Sequence, residues 1–427
     1  MSKGQCSGDG GLPMNFPNHI APYLSLMNLM MLASKRPFLI SLFNAIGFKI
    51  KLNADDLLNK AKQKTGLNDF GKGNLHETLT RLIDAINTEA QMHPFGRFIT
   101  KERILGILQN RLHLEDLIKR HPAIENIEIK TPLIITGLQR TGTTRLHRLL
   151  AAHPQLRSLS SWEALNPVPL PYDGKNKKRI NFAKTAERAL RFMSPDFFAI
   201  HPVEFEAPEE DVLLNEMTFL SAVSEATMHV PSFVKWVSKQ DPVAPYQYMK
   251  RVLKVLQWQN PKEHWVLKTP EHLGQMHTIQ KVFPDAKVVH TYRDPLKVIP
   301  SFSSMLYHSN RIFSDEVNAA RLARHWMNKD VKMLKDAMKF WQANPSFPVL
   351  HISYTDMVND YKKELKKIAD FAQINWTNAE QEAVTQINNL NKQHKYGIHR
   401  YSLDQFNLTK QEVQTNFDFY YKEFIIK

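Results

Sequence analysis

The sequence lacks the features that support several common protein classes. It contains one cysteine, Cys6, so no disulfide bond can form within the chain, and this agrees with a reducing compartment. Cys6 lies in a start rich in glycine and serine, which disfavours catalytic thiol chemistry there. No metal-ligand spacing, such as paired histidines flanking a glutamate on one helix, is present. We therefore predict no metal site.

Long apolar runs are also lacking. The first residues do not have the layout of a secretory signal peptide, and no uninterrupted run reaches the roughly 18 apolar residues of a spanning helix. Residues 20–33 and 37–48 are apolar but are separated by Lys35 and Arg36. Such segments usually pack on the protein itself, and the alternative is contact with a bilayer or a greasy substrate. We expect a cytoplasmic protein, with peripheral membrane contact through residues 20–48 left open.

Acidic residues are too few to balance the basic ones. The chain has 56 Lys and Arg against 42 Asp and Glu, a formal net charge of +14. This excess favours anionic partners, among them nucleotides, acidic substrates, nucleic acids and membrane surfaces. The one short basic cluster, residues 175–179, has no interleaved aromatic residues, so we predict no nucleic-acid partner. The oligomeric state is left open by the sequence.

The apolar patterning predicts an α/β protein with a helical extension at its amino terminus. Helical spacing predominates before residue 125, and short apolar runs typical of strands follow at 133–135, 156–159, 265–267, 287–290 and 349–352. Strands that alternate with helices indicate a mostly parallel sheet with right-handed crossovers. We divide the chain into a loose arm (1–19), a helical extension (20–125) and an α/β domain (126–427).

A long insertion, at about residues 165–262, separates two of these strands. Its pattern predicts helices over residues 180–192, 211–222 and 246–259. Connections at strand ends shape the substrate side of a parallel sheet, so we expect substrate selectivity to lie in this insertion. Glu209 and Glu210, within it, are interpreted as the solvated start of a helix.

The first strand-like run leads into a glycine-bearing loop and then a helix. Gly137 and Gly142 have the separation of the Walker A glycines, and Thr143 and Thr144 follow. Glycine allows the tight turn, so the N–H groups at the helix start form a concave anion site. Thr143 stands where the lysine of a Walker A loop would be, which argues against a nucleoside triphosphate. Arg140 supplies a cation instead.

A later strand-like run ends at a second candidate phosphate site. Arg293 follows the run, and Ser301 lies early in the helix that Pro295 opens. An arginine at a strand's carboxyl end forms a fork onto a phosphate, and the serine hydroxyl can meet the same group. The alternative interpretation is a surface turn formed by Arg293 and Asp294.

These two sites together resemble those of the sulfotransferase family, in its bacterial-type form with a helical amino-terminal extension. The resemblance implies a P-loop-like three-layer α/β/α fold with a mostly parallel central sheet. It implies 3′-phosphoadenosine-5′-phosphosulfate (PAPS) as co-substrate and 3′,5′-ADP as product. By the same resemblance, the residues that hold the 5′-phosphosulfate are Arg140, Thr141, Gly142, Thr143 and Thr144, and those that hold the 3′-phosphate are Arg293 and Ser301.

The resemblance extends to the adenine and to the chemistry. Tyr354 matches a tyrosine that contacts the adenine edge, and Lys268 matches a lysine that touches the transferring sulfonate. For the base, Glu163 lies about where tyrosylprotein-type relatives place a glutamate, and His272 corresponds more loosely to the histidine of cytosolic relatives. Leu267 occupies the position of the glutamate base in heparan-sulfate-type relatives, which removes that candidate.

The implied activity is transfer of a sulfuryl group from PAPS to a hydroxyl of a small or lipid-like acceptor. The transfer is in-line, base-assisted and independent of a metal. Two alternatives stay open, a P-loop kinase acting on a small molecule and a non-catalytic adenine-nucleotide-binding protein. A kinase needs a phosphate-loop lysine and an acidic residue at a strand end for Mg²⁺. Thr143 stands in the place of that lysine and Lys268 in the place of that acidic residue, which disfavours the kinase. The basic residues 395–403 either close over the nucleotide or pack with the terminal helix.

Overall fold

A computed structural model of the protein describes residues 50–130, 132–170, 173–390 and 400–426. Its five strands are, in chain order, β1 Leu133–Gly137, β2 Leu156–Ser158, β3 His264–Lys268, β4 Lys287–Tyr292 and β5 Val349–Ser353. They form one sheet in the order β2-β3-β1-β4-β5, and every neighbouring pair is parallel. Each strand lies on one of the apolar runs noted in the sequence, so the predicted parallel sheet is confirmed.

The α-helices lie before, between and after these strands. Before the sheet come α1 Ala54–Thr65, α2 Leu75–Thr88 and α3 Pro94–Arg120. Helix α4, Thr143–Leu150, follows β1, and between β2 and β3 lie α5 Ser161–Leu165, α6 Lys177–Met193, α7 Pro195–Ile200, α8 Val212–Asn215, α9 Val223–Thr227, α10 Pro231–Val237 and α11 Val243–Gln259. After β3 come α12 Met276–Val282, α13 Pro295–Asn310 and α14 Ala319–Ala343. After β5 come α15 Tyr354–Asn359, α16 Tyr361–Ala372, α17 Asn378–Leu390, α18 Lys410–Asn416 and α19 Asp418–Tyr420, with a final π-helical turn at Tyr421–Ile425.

Helices cover both faces of the sheet, because successive strand side chains point in opposite directions. Ile134 packs into the larger apolar cluster with residues of α11, α12 and α14. Leu133 and Ile135 pack on the other face with residues of α4, α16 and α17. The fold is therefore the predicted three-layer α/β/α arrangement with a helical amino-terminal region.

The helical extension is joined to the α/β part by continuous packing. Leu79 and Leu108 of the extension share an apolar cluster with Phe313, which follows α13. The backbone of Gly96 approaches Phe313 so closely that an added Cβ would lie 2.1 Å from its carbonyl oxygen. The loose arm predicted for residues 1–19 and the first part of the predicted extension lie outside the described residues, and the domain boundaries stay a prediction.

The insertion departs from the predicted helix over residues 211–222. Only α8 and a short 3₁₀ turn, Glu216–Thr218, form there, and the turn ends at Phe219 with φ of +59°. The Thr218 hydroxyl donates to the carbonyl of Asn215, and the N–H of Leu220 donates to that hydroxyl. A threonine side chain that satisfies local backbone groups competes with helix propagation. The chain therefore turns here toward the end of β3.

The register of the sheet brings three strand ends to one edge. Gly137 at the end of β1 pairs with Thr291 of β4, and Ile135 of β1 pairs with Lys268 at the end of β3. In parallel sheets, ligands bind beyond the carboxyl ends of the strands. The segments that follow β1, β3 and β4 are therefore the ones that build the site.

Candidate active site

The loop between β1 and α4 is shaped for close approach of its backbone to a ligand. Gly142 has φ of +91° and Arg140 has φ of +67°, both in the left-handed region. The Thr141 hydroxyl donates to the carbonyl of Leu138 over 2.6 Å and lies 2.7 Å from the hydroxyl of Thr291 on β4. These bonds fasten the loop to the neighbouring strand, so the side chain of Thr141 has a structural role while its backbone lies in the cradle.

The helix start presents its amide groups outward. Within the described residues, the N–H groups of Gly142, Thr143 and Thr144 have no hydrogen-bond acceptor, and no side chain caps α4. The first N–H groups of a helix lack partners within the helix, and the helix dipole favours negative charge at that end. The cradle predicted from the glycine spacing is thus available for an anion.

Arg140 extends from this loop into a largely buried position. Its Nε donates to the hydroxyl of Ser301 over 3.1 Å, and its Nη1 donates to the carbonyl of Ile200 over 3.0 Å. Burial lowers the pKa of Arg140, and the nearby Arg293 lowers it further, while Tyr401 and Tyr354 act in the opposite direction. Tyr401, in the carboxyl-terminal segment, therefore lies near the same group.

Arg293 reaches the same place from the end of β4. Its Nη1 donates to the backbone oxygen of Arg140 over 2.9 Å, and its guanidinium carbon lies 3.9 Å from the centre of the Tyr354 ring. Tyr354 also borders the phosphate loop, since a Cβ added to Gly142 would lie 3.0 Å from its ring. The structure thus brings together the two candidate phosphate sites and the candidate adenine contact.

The two guanidinium groups have no acidic counterpart beside them. Among residues 50–130, 132–170, 173–390 and 400–426, no Asp or Glu lies within ion-pair distance of Arg140 or Arg293. Buried or half-buried cations are normally compensated by carboxylates, metal ligands or bound anions. The charge of this pocket therefore suits an anionic ligand with more than one charged group.

Lys268, at the end of β3, is buried to 2% exposure and forms an ion pair with Glu210, with 2.6 Å between Nζ and Oε1. The hydroxyl of Thr269 lies 3.4 Å from the other carboxylate oxygen. Burial alone would raise the pKa of Glu210, but the adjacent Lys268 ammonium group brings it below its ordinary value. Glu210 is therefore ionised at neutral pH, and its side chain keeps 22% of its surface exposed.

This position corrects the interpretation of Glu209 and Glu210 as a solvated helix start. The N–H of Glu209 donates to the carbonyl of Leu159 over 2.7 Å, which holds the segment against the end of β2. Burial raises the pKa of the Glu209 carboxyl. Glu209 and Glu210 precede α8, and the Glu209 carboxylate accepts a hydrogen bond from the N–H of Glu210 while the Glu210 carboxylate contacts Lys268.

His201 is a further group at this site that the sequence analysis did not identify. Burial lowers its pKa to about 4, helped by Lys268, Arg140 and Arg148 and opposed by Glu210. Its neighbour Ile200 accepts the hydrogen bond from Arg140. The sequence signal that could have indicated it is the His-Pro pair that ends α7, but such pairs are common at helix ends.

Glu163, one of the two residues predicted as the base, lies in structural contacts. Its carboxylate forms a capping box with Ser160 and an ion pair with Arg157, with 2.9 Å between Arg157 Nη2 and Oε1. Its residue exposure is 5%. These contacts use both carboxylate oxygens, so Glu163 caps α5 and does not join the groups around Lys268.

His272, the other predicted base, is completely buried. Its Nδ1 lies 2.8 Å from the hydroxyl of Tyr246, and its Nε2 lies 3.0 Å from Oδ1 of Asp211. Both ring nitrogens are thus engaged within the protein, and no side of the ring reaches the cleft. Of the two acids considered, Glu210 contacts Lys268, whereas Glu163 pairs with Arg157.

Two kinds of feature are absent from the described residues. No helix there is long and apolar enough to cross a bilayer. Within the same part of the chain, no group of three or more His, Cys, Asp or Glu side chains is arranged to hold a metal ion. Residues 20–48, for which peripheral membrane contact was left open, lie outside the described residues.

The parallel three-layer fold and the anion site at the ends of β1 and β4 define an α/β protein of the P-loop-like class. A family model described as the sulfotransferase family matches residues 132–378, which is more than half of the chain. The chain therefore belongs to the sulfotransferase family and is a sulfotransferase.

Several proteins similar to this chain come from mycobacteria. The chain is 22% identical over 300 residues to the omega-hydroxy-beta-dihydromenaquinone-9 sulfotransferases Stf3 of Mycobacterium bovis and Mycobacterium tuberculosis, covering 66% of this chain and 73% of the relatives. Its fold matches the crystal structure of sulfotransferase STF1 from Mycobacterium tuberculosis with a TM-score of 0.76 and 27% identity, over 86% of this chain and 98% of that one. It matches that of STF9 from Mycobacterium avium with a TM-score of 0.79 and 25% identity, over 89% and 98%.

Proposed function

We propose that the chain transfers a sulfuryl group from PAPS to a hydroxyl group of a small or lipid-like acceptor. The donor assignment is carried by Arg140 and Arg293, which lie in contact and form no ion pair with a carboxylate of the described residues. Such a pair favours a ligand with an anionic group at each of two positions, as in a nucleotide with 5′ and 3′ substituents. Thr143, in place of a phosphate-loop lysine, disfavours a triphosphate.

Each end of the donor has its own set of contacts in this proposal. The free N–H groups of residues 142–144, the dipole of α4 and Arg140 hold the 5′-phosphosulfate. Arg293 and Ser301 hold the 3′-phosphate. Tyr354, whose ring lies beside both Gly142 and Arg293, contacts the adenine.

Glu210 is the proposed general base, in place of Glu163 and His272. It accepts the proton of the acceptor hydroxyl while the hydroxyl oxygen forms a bond to sulfur. The bond between sulfur and the bridging phosphate oxygen breaks, and 3′,5′-ADP leaves with that electron pair. Lys268 stabilises the charge that grows on the leaving oxygen. Because Lys268 contacts Glu210, movement of its ammonium group toward the sulfonate frees a carboxylate oxygen for the hydroxyl.

His201 supports this arrangement without adding charge. With a pKa of about 4 it is neutral at physiological pH, so it offers one N–H and one acceptor nitrogen near Glu210 and Lys268. The ring of Phe197 lies 5.8 Å from the ring of His201, so an apolar side chain borders the proposed transfer position. This border suits an alcohol whose hydroxyl is attached to an apolar body.

The acceptor class also draws on the relatives. Stf3 is named for a menaquinone derivative with a terminal hydroxyl, which is a lipid-like alcohol. An acceptor of that kind favours peripheral membrane contact, which we keep as a prediction for residues 20–48. The proposal requires no metal ion and no nucleic acid.

Two measurements on the full chain test the proposal. Calorimetry with 3′,5′-ADP, 5′-AMP and ATP–Mg²⁺ should give the tightest binding for 3′,5′-ADP. Incubation with PAPS labelled on sulfur and a series of alcohols, from simple phenols to long-chain ω-hydroxy lipids, should give a sulfate ester detected by mass spectrometry. Tighter binding of ATP–Mg²⁺, with phosphate appearing on an alcohol, would replace the proposal with the kinase alternative.

A further inference from the structure

The turn that carries Arg293 is held by the carboxyl-terminal end of the chain. The backbone N–H of Arg293 donates to the hydroxyl of Tyr420 over 3.3 Å. The hydroxyl of the next residue, Tyr421, donates to Oδ1 of Asp294 over 2.6 Å. Two consecutive tyrosines thus contact two consecutive residues of the turn between β4 and α13.

Asp294 connects this contact to the second proposed 3′-phosphate ligand. Its Oδ1 also accepts the N–H of Leu296 over 2.9 Å, which caps α13 at its amino terminus. Ser301 lies on α13, so the start of the helix that carries it is fixed by the same carboxylate. The hydroxyl of Tyr421 therefore helps to fix the position of Arg293 through the turn and that of Ser301 through the helix cap.

The segment that carries the two tyrosines is packed on β4. Tyr420 is fully buried, and its ring lies 5.1 Å from that of Phe424. Phe424 in turn lies 5.2 Å from Tyr292 and 5.2 Å from His290, both on β4. The last helical turns are thus packed on the strand that ends at Arg293, and they hold the position of the turn relative to that strand.

We infer that Tyr420 and Tyr421 are positioning residues for recognition of the 3′-phosphate, so that the end of the chain sets the preference for a 3′-phosphorylated nucleotide. This inference rests on the proposed function. A guanidinium fork binds a phosphate in two-point geometry only where its backbone is fixed, because a small displacement misaligns both hydrogen bonds. The 5′-phosphate cradle lies on a different segment, to which this turn is linked by the hydrogen bond from Arg293 to the Arg140 oxygen, so loosening the turn disturbs the cradle less than it disturbs the 3′-phosphate site.

The test compares Tyr421→Phe with a matched control in which a different tyrosine loses a hydrogen bond to a carboxylate. Tyr248 is that control, because its hydroxyl donates to Glu115 over 3.0 Å, far along the chain from either phosphate site. Calorimetry on the full chain measures the affinity for 3′,5′-ADP and for 5′-AMP. We expect Tyr421→Phe to weaken 3′,5′-ADP about five- to twentyfold and 5′-AMP less than about twofold. Tyr248→Phe should change neither affinity.

A double variant separates positioning from a general loss of stability. When Arg293 is already replaced by alanine, Tyr421→Phe should change the ratio of the two affinities much less than it does in the wild type, since Arg293 is gone and only Ser301 is left to be positioned. Tyr421→Phe is the variant used because Tyr421 is half-buried, whereas Tyr420 is fully buried and packs on Phe424. The inference would be overturned if Tyr421→Phe lowered the affinities for both nucleotides by the same factor, or changed neither of them. A wild-type chain that does not prefer 3′,5′-ADP would instead overturn the proposed function.

Discussion

The guanidinium group of Arg293 donates a hydrogen bond to the backbone oxygen of Arg140 over 2.9 Å. One arginine therefore supports the loop from which the other extends, although the two come from different strands. In the proposed function, the contacts to the 3′-phosphate and to the 5′-phosphosulfate are thus coupled. Loss of either arginine should affect both ends of the donor, but to different degrees.

Replacing Arg293 with alanine should weaken 3′,5′-ADP binding by about 50-fold or more, because charge-assisted bonds to the 3′-phosphate are lost. 5′-AMP should weaken only about threefold, through the lost support for the Arg140 loop. Calorimetry measures both affinities. The control is Arg120→Ala on α3, an exposed arginine paired with Asp116, which should change neither. Equal losses for the two nucleotides would show that Arg293 does not recognise the 3′ group.

Glu210→Gln should lower kcat by about 100-fold or more while 3′,5′-ADP affinity stays near that of the wild type, because a general base contributes to the chemical step. The matched variant is Glu163→Gln, which removes a buried ion pair with Arg157. It should lower the free energy of unfolding by about 2 kcal/mol or more and leave the kcat of the folded enzyme unchanged. A folded but inactive Glu163→Gln enzyme would restore Glu163 as the base.

The pH dependence of the wild-type rate provides a separate check on Glu210. The pKa of its carboxyl lies below the ordinary value because of Lys268, despite burial. The base is therefore ionised throughout the neutral range, and the acid limb of kcat/KM should appear only below about pH 4.5, as Glu210 takes up a proton. Measurement in overlapping buffers gives the midpoint. An acid limb near pH 6.5, typical of an unperturbed histidine, would argue for a different base.

Gly142→Ala should weaken nucleotide binding by about tenfold or more. The residue has φ of +91°, and its new Cβ would lie 3.0 Å from the Tyr354 ring, so the ring must move from its place beside Arg293. The control is Gly66→Ala, which has φ of +71° and open space around the added Cβ. Both variants should lose a similar amount of stability, and only the first should lose affinity. If Gly142→Ala bound 3′,5′-ADP as tightly as the wild type, Tyr354 would not be a nucleotide contact.

Asp330 gives a prediction about stability rather than activity. It is fully buried on α14, neither carboxylate oxygen has a hydrogen-bond partner among the described residues, and burial raises its pKa well above the ordinary value. Because the folded state holds this proton more tightly, stability should fall as pH rises above the unfolded pKa and level off above the folded one.

Asp330→Asn should remove that dependence and raise the free energy of unfolding by about 1 to 2 kcal/mol at neutral pH, since the amide stays uncharged. Urea denaturation between about pH 5 and pH 8 measures the slope. Asp336→Asn on the same helix, an exposed residue paired with Lys332, should leave the slope unchanged. A variant as pH-dependent as the wild type would place the titrating group elsewhere.

The sheet and the location of the phosphate loop were predictable because they depend on short, local patterns. The run at Leu133 could be recognised as a buried strand from its apolar residues alone, and the glycine spacing after it predicted the tight turn in which Gly142 has a positive φ. The position of Arg293 at a strand end was likewise predictable. That it meets Arg140 depends on the strand order, which a single sequence constrains only loosely.

The groups proposed for proton transfer could not be found in this way. The environment of Glu210 is set by Lys268, which lies at the end of β3 and is distant in sequence. The acidic run after a proline therefore resembled only the start of a helix. Glu163 and His272 were selected by their distance from a motif. Their true partners, Arg157 and Asp211, decide their roles, and neither partner is visible as such in a local pattern.

The placement of the long insertion between β2 and β3 has a consequence for how such enzymes diversify. β2 is an edge strand, and β3 is its only neighbour within the sheet of the described chain. The insertion also reaches the site, since Ile200 accepts a hydrogen bond from Arg140 and Glu210 contacts Lys268. Parts of the insertion away from these two residues can be lengthened or exchanged at the edge of the sheet while the order of β1, β3 and β4 stays the same, so variation in the proposed acceptor is expected to concentrate there.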